Sequence, residues 1–429
     1  MRIKKLTVSG LRAFSHAEFT FLPGMNLLVG INGVGKTTVL DAIRICLSRI
    51  LPEITSSRSP KQAFEINDIS IGMDSLQVEC DLDLQGKEFK YLFHKQKISS
   101  IPKKTGKPRD QVIETPDIEQ INPSLKEFFP KSKESKTQPL GIYFSTRRSL
   151  LVDQKPSSST IAGGQTVAFA ESLSFNREVN LRLIAQWYKV QEKLAEEKSK
   201  MLKHISVLRE AIELFLPAFS NLHIRELDRS VHFMIEKNGI PLSLFQLSDG
   251  ERGVIAMVLD LARRLSQANP ELDDPLRQGV AIVLIDELDL HCHPRWQRVI
   301  VENLIKTFPN CQFIATTHSP QIIGEVEPER ITVIDNGTFK PISSYGVDSS
   351  RILEEVLDTL PRNRKVKSLL SKMYKSIDRE ELSTAKKQLA NISKILGKDD
   401  AEIIRASTLI HFLEGNIKDE KNYKRKRTK

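Results

Sequence analysis

The sequence is poor in cysteine and contains no long apolar run, no signal-peptide core and no internal repeat. Four cysteines, Cys46, Cys80, Cys292 and Cys311, are scattered through 429 residues without metal-type spacing. That scatter argues against a disulfide framework and predicts a reducing, cytoplasmic location. The apolar run Val280–Ile285 is six residues long, far short of the roughly 20 residues of a membrane span. No membrane partner is therefore expected. The opening Met1-Arg2-Ile3-Lys4-Lys5-Leu6 reads as the start of a strand and lacks the apolar core of a secretion signal. Without a repeat, a solenoid is excluded. What is present is 40% hydrophobic and 28% charged, a globular composition. The length suits one large domain with insertions, or two or three ordinary ones.

The formal net charge is +10, and its placement is uneven. Lys95, Lys97, Lys103, Lys104, Lys107 and Arg109 stand against Asp110 alone. Residues 418–429 carry seven basic residues against Asp419 and Glu420. The remainder is close to neutral. Such segments are either solvated surface or contacts for nucleic acid or an acidic partner.

Hydrophobic periodicity divides the chain. Ile3, Leu6, Val8 and Leu11, then Phe14, Phe19 and Phe21, predict two strands joined around Gly10–Ser15. Met25–Val29 predicts a third strand, followed by a helix from Gly35 to about Ile50. With the strand-like residues 64–93, this makes 1–94 the N-terminal lobe of an α/β domain. Residues 95–139, rich in Lys, Pro, Ser and Thr, read as a basic flexible insertion. Residues 140–246 read as a strand plus a helical insertion over about 181–216. In it Val190, Leu194, Met201, Ile205, Leu208 and Ile212 share one face, and Pro217 ends it. Ser157–Ser159 and Gly163–Gly164 mark a loop. Residues 247–345 alternate helix and strand, the pattern of a parallel sheet. A helical module over 346–415 and a basic tail over 416–429 follow.

Four motifs carry chemistry. Gly30-Ile31-Asn32-Gly33-Val34-Gly35-Lys36-Thr37 fits G-x-x-x-x-G-K-[ST] between a strand and a helix, with Thr38 next in the first turn. Glycines let backbone N–H groups curl around phosphates at a helix N-terminus. Lys36 reaches the β- and γ-phosphates of ATP, Thr37 offers a hydroxyl to Mg²⁺, and Asn32 lies near the γ-phosphate. Val280–Ile285 is an apolar strand that ends in Asp286 and Glu287. Acids at the C-terminal end of such a strand sit where α/β ligands bind. Asp286 is the candidate Mg²⁺ ligand and Glu287 the candidate general base. Phe313–Ser319 is a further strand that ends at His318, a candidate contact to the γ-phosphate or the attacking water. Leu247-Ser248-Asp249-Gly250-Glu251 precedes a helix. It reads as a capping box, Ser248 with Glu251, and equally as an anion-facing helix end.

In this order the motifs resemble those of ABC-type ATPases. The loop at 30–37 matches the P-loop, Leu247–Glu251 the signature, 280–287 the Walker B strand, Leu288-Asp289 the D-loop and His318 the switch histidine. A signature ending in Glu and a long gap after Thr37 resemble the SMC/RecF/OLD branch. Leu11-Arg12-Ala13-Phe14 does too, and the resemblance implies that Arg12 contacts phosphate. No clear Q-loop glutamine is present; Asn67 and Asp68 are the candidates. The residues after His318 read as helical and lack the acidic strand cluster of a Toprim domain, so no intrinsic nuclease is expected. Tyr345–Leu353, the hairpin around Ile377–Leu396 and Ala406–Glu414 resemble stand-alone bacterial ATPases. These include the ATPase subunit of the Septu anti-phage system and its retron-linked relatives.

The resemblance implies an α/β P-loop NTPase of ABC-ATPase type, with a mixed sheet, a short helical insertion and a C-terminal helical module. It implies a homodimer or higher homo-oligomer in which ATP and Mg²⁺ lie between one subunit's P-loop and the other's Ser248 and Gly250. Slow or partner-gated ATP hydrolysis would control an effector, an HNH nuclease encoded nearby. The alternatives are a RecF-like repair ATPase that binds DNA or another nucleic acid, and a mainly structural ATP-bound scaffold.

Overall fold

The alternating N-terminal residues form a hairpin, β1 (Arg2–Leu11) and β2 (Phe14–Thr20), paired antiparallel. Leu6, Val8, Phe14 and Phe19 are buried by it. The computed structural model describes residues 1–99, 112–114, 118–121, 137–149, 164–197, 202–227, 230–335, 338–340, 344–360 and 362–427. Most of the expected basic insertion, the loop at Ser157–Ser159 and Gly163, and the side chains of the basic tail lie outside the described residues.

After β3 (Met25–Val29) comes α1 (Lys36–Ile54), one turn longer than its periodicity predicts, with Pro52 inside its last turn. Strands β4 (Ser75–Leu84) and β5 (Lys87–Ser99) extend the hairpin into an antiparallel sheet of order β2-β1-β4-β5. Two short strands, β6 (Val112–Glu114) and β7 (Ile118–Ile121), both pair with β5. The stretch expected as an insertion from residue 95 thus contains strand. Ile121 pairs with Tyr91, and β5 runs on past Lys95.

The chain then supplies β8 (Leu140–Phe144) and, among the described residues of the span expected as helix, α2 (Leu181–Glu197) and α3 (Leu202–Phe215). A separate meander follows: β9 (Phe219–Leu227), β10 (Ser230–Lys237) and β11 (Ile240–Ser243). Next come α4 (Asp249–Ala268), β12 (Ala281–Ile285), α5 (Ile300–Thr307), β13 (Cys311–Thr317), β14 (Ile331–Asp335) and β15 (Thr338–Lys340).

The second large sheet has the order β15-β14-β3-β13-β12-β8. All its neighbours are parallel except the β14–β15 pair. β3, β8, β12 and β13 are buried along their whole length, which is why they read as unbroken apolar runs and do not alternate. Helix α1 lies between the two sheets. Val39, Ile43 and Leu47 share one core with Val8 and Phe19 of the antiparallel sheet and with Ile282, Leu284 and Ile314 of the parallel one. Each such fully buried side chain contributes roughly 1.5–3 kcal/mol. All four cysteines are free and buried.

Two compact units make up the chain, Met1–Ile352 and Leu353–Lys429. The second is built from α6 (Arg364–Asp378), α7 (Leu382–Leu396) and α8 (Ala401–Arg427). Its own core includes Leu370, Met373, Ala385, Ile392, Ile403 and Ala406. Helix α8 continues to Arg427, so the expected tail from residue 416 is helical in backbone. Among the described residues no helix is long and apolar enough to cross a membrane.

Candidate nucleotide site

Strand register gathers the motifs. Val29 is level with Thr317, and Ile285 is level with Ala315 and Phe144. Because these strands are parallel, the loops that leave β3, β8, β12 and β13 all emerge at one edge of the sheet. Residues far apart in sequence meet there.

The loop from Gly30 to Gly35 ends at a left-handed Gly35 (φ 101°), which is the N-cap residue of α1. A Cβ at Gly35 would lie 2.6 Å from the Phe14 ring, so both backbone angle and space require glycine. No side chain caps α1, and no acid lies in its first turn. Its first N–H groups therefore lack intrahelical partners and face the loop with the positive dipole end. Lys36 Nζ donates to the carbonyls of Gly30 and Ile31, both at 2.9 Å. Burial lowers the Lys36 pKa, and Asp286, Glu287 and Asp289 oppose that shift. Ile31, Asn32 and Gly33 are exposed, while Val34 and Thr38 are buried.

Asp286 lies opposite. Thr37 Oγ1 is 3.3 Å from both of its carboxylate oxygens. Thr316 Oγ1 donates to Asp286 Oδ1 at 2.7 Å and accepts the Glu287 N–H at 2.7 Å. One hydroxyl thus fixes both acids. Glu287 has a left-handed backbone, φ 50°, a conformation costly for a residue with a Cβ. Buried Arg148, from the turn after β8, braces it by donating to the carbonyls of Asp286, Glu287 and Ser145. A hydroxyl and a carboxylate are hard oxygen donors suited to Mg²⁺. Among the described residues no group of three or more His, Cys, Asp or Glu can hold a metal by itself. A metal here would need phosphate oxygens to complete its shell.

His318 follows β13. Its backbone N–H and the Thr317 hydroxyl both donate to Asp289 Oδ1, at 3.3 and 2.6 Å. Burial depresses its pKa, Lys36 adds to the shift, and Asp289 and Asp286 oppose it. The imidazole is therefore neutral at pH 7 and can both accept and donate.

The other candidates lie on different elements. Ser248 caps α4: its Oγ accepts from Glu251 N–H at 3.4 Å, and Glu251 Oε2 accepts from the Ser248 N–H at 3.2 Å. The capping box is thus formed. Lys237 also pairs with Glu251, at 2.5 Å. Gly250 passes so close to the loop after β12 that a Cβ there would lie 2.0 Å from the His291 carbonyl oxygen. Ser248 is exposed, and its side chain and N–H bond Glu251 within its own helix end. Arg12 bonds Asp68 at 2.8 Å and Asp41 at 2.9 Å, tying the N-terminal hairpin to α1. Both guanidinium contacts are to carboxylates. Burial works against its charge, but these two acids hold its pKa above the ordinary value. Asn67 is exposed beside Asp68.

Sequence reading missed Arg148, Thr316 as a bridge, and Asp289 as the anchor of His318. The Thr316-Thr317-His318 string carried a signal for Thr316. Arg148 had none beyond its position after a strand.

The family described as "AAA domain, putative AbiEii toxin, Type IV TA system" matches residues 25–324. The "Retron Ec83 probable ATPase" of Escherichia coli is 27% identical, over 94% of this chain and 85% of the relative. The "Retron Vc95 probable ATPase" of Vibrio cholerae serotype O1 biovar El Tor is 27% identical, over 88% and 83%. The "Septu protein PtuA" of Bacillus thuringiensis is 25% identical, over 75% and 72%. The resemblance to retron-linked and Septu ATPases is borne out by these relatives.

Proposed function

The chain belongs to the AAA-domain family that matches residues 25–324, and on that premise we propose that it binds and hydrolyses ATP to control a partner effector in anti-phage defence. The observation that carries this reading is the meeting of Lys36, Thr37, Asp286 and Glu287 at one sheet edge, with Thr37 3.3 Å from Asp286. First-turn N–H groups of α1 and the Lys36 ammonium receive the β- and γ-phosphates. Thr37 and Asp286 would hold Mg²⁺, which supplies charge neutralisation on the phosphate oxygens when bound. Glu287 takes a proton from the attacking water while the water oxygen bonds the γ-phosphorus. The bond to the β–γ bridging oxygen breaks, and ADP leaves with that electron pair. Neutral His318 donates to the phosphoryl oxygens and keeps no competing charge near Lys36.

In the dimer proposed here, each ATP is closed over by Ser248 and Gly250 of the second subunit. The exposed, capped end of α4 supports that role. Closure and opening then pass to an effector, an HNH nuclease by the Septu resemblance, as a population shift. Phosphate release tests the chemistry. Glu287→Gln is expected to cut turnover about 10²–10⁴-fold while ATP stays bound in a complex of doubled mass on light scattering. Unchanged turnover removes Glu287 as the base.

A further inference from the structure

Beside the N-terminal end of α4 lies a cavity of about 460 Å³ that the ATPase chemistry does not use. That volume is in the range of small-molecule sites. Its walls include Phe219, Val254, Trp296 and Ile300, with Val299 left 41% exposed. The Phe219 and Trp296 rings meet edge to face, centroids 6.2 Å apart. Three charged side chains line the space, Lys237, Glu251 and Arg295. Lys237 and Glu251 neutralise each other at 2.5 Å, and the Lys237 ammonium lies 5.6 Å from the Phe219 ring centre. Arg295 is different. Its backbone N–H reaches His293 Nδ1 at 3.2 Å, but among the described residues no acid pairs with its guanidinium. The lining therefore offers an apolar body site and one uncompensated cation.

We propose that this cavity binds a small apolar monoanion, an aromatic or branched carboxylate or sulfonate. Its body packs against Phe219 and Trp296, and its charge meets Arg295. Occupation is read by α4, because Lys237 also holds Glu251, which closes the capping box on Ser248. The anion seated on Arg295 also competes with Glu251 for the Lys237 ammonium in the same lining, and so loosens Glu251 at the helix end that the proposed dimer closes over ATP. This relay rests on the ATPase reading; binding itself does not.

The full chain is titrated by fluorescence with 8-anilinonaphthalene-1-sulfonate and with the neutral N-phenyl-1-naphthylamine. The sulfonate is expected to bind one site per chain about tenfold more tightly than the neutral probe, the worth of one charge-assisted hydrogen bond. Arg295→Gln, at an exposed position, removes that advantage and leaves the neutral probe unaffected. Val299→Trp fills the space and blocks both probes without opening a core. Equal affinities for the two probes, or sulfonate binding unchanged in both variants, would overturn the site. Loss of probe as protein concentration rises assigns the cavity to a second copy of the chain and also overturns it. For the relay, saturating sulfonate shifts ATP affinity at least about fivefold, and ATP shifts sulfonate affinity by the same factor. Lys237→Met abolishes both shifts. Sulfonate binding without either shift overturns the relay, and sulfonate binding in a chain that fails to hydrolyse ATP separates this site from the ATPase reading.

Discussion

Arg148 carries no charge into the reaction, yet the acids depend on it. Its guanidinium donates to the carbonyls of Asp286 and Glu287 from a buried position. Glu287 itself sits at φ 50°, a conformation these bonds help to hold. Arg148→Met removes the donors and leaves the carbonyls buried. That should cost about 1–3 kcal/mol of stability, read as a fall in urea midpoint. The turn that aims Glu287 should relax as well, so kcat falls while KM for ATP stays near its original value. Equal loss in both constants would mean that the loop holds nucleotide and not the acid.

His318 makes a second residue-scale prediction, with a sign fixed by linkage. Burial and Lys36 depress its pKa below the ordinary 6.5. Between that lowered value and 6.5 the unfolded chain binds more protons than the folded one. Stability therefore rises with pH through this window and is lost as pH falls through it. His204, also depressed by burial, contributes in the same direction. Urea melts of His318→Gln below pH 6.5 should show a shallower dependence on pH than the parent, not a flat one. A slope unchanged from the parent would place the His318 proton elsewhere.

At the scale of elements, α4 is held at its N-terminus by two different devices. Ser248→Ala opens the capping box and should cost about 1 kcal/mol. Gly250→Ala meets the His291 carbonyl at 2.0 Å and forces the loop after β12 to move. Overpacking of that kind costs about 1–3 kcal/mol, and here it also disturbs the turn that carries Glu287. Melting temperature and turnover should both fall for Gly250→Ala, whereas Gly253→Ala on the same helix, with open space at its Cβ, should leave turnover unchanged.

What the sequence disclosed follows from how local each signal was. The glycine loop, the apolar strand ending in Asp286 and Glu287, and the Ser248 capping box are contiguous strings whose geometry is set by near neighbours. Their meeting at one edge also follows, since β3, β12 and β13 read as fully buried parallel strands. One helix was read through 181–216 because Val190, Leu194, Met201, Ile205 and Ile212 keep helical spacing and no proline falls between them, yet in α2 Leu194 is exposed and Ile184, Tyr188 and Gln191 form the buried face. β7 was hidden by its short length and polar surroundings. Arg148 was illegible because two of its partners, the Asp286 and Glu287 carbonyls, lie more than a hundred residues away, which no spacing reveals.

For the whole molecule, the formal charge of +10 says little about the nucleotide site. Binding there rests on the P-loop geometry, and most of the excess charge lies in the two basic segments. What decides function at this scale is whether one chain holds a complete site. Lys36 and Glu287 stand together, while Ser248 and Gly250 belong to the N-terminal end of α4, where, among the described residues, the Ser248 side chain bonds only Glu251 within its own helix end. A site completed by a second copy makes a prediction that a self-contained site cannot. Lys36→Ala abolishes phosphate binding in its own loop. Ser248→Arg places a bulky cation where the neighbour's γ-phosphate would lie. Each variant alone should be inactive. In a two-fold dimer of one copy of each, one site pairs the intact P-loop with the intact helix end, and the other combines both defects. An equal mixture should then recover up to about a quarter of the parent's active sites, measured as phosphate release after mixing. The recovery should rise with protein concentration, because it depends on association. No recovery at any concentration, with both variants folded by circular dichroism, would place Ser248 outside the nucleotide site.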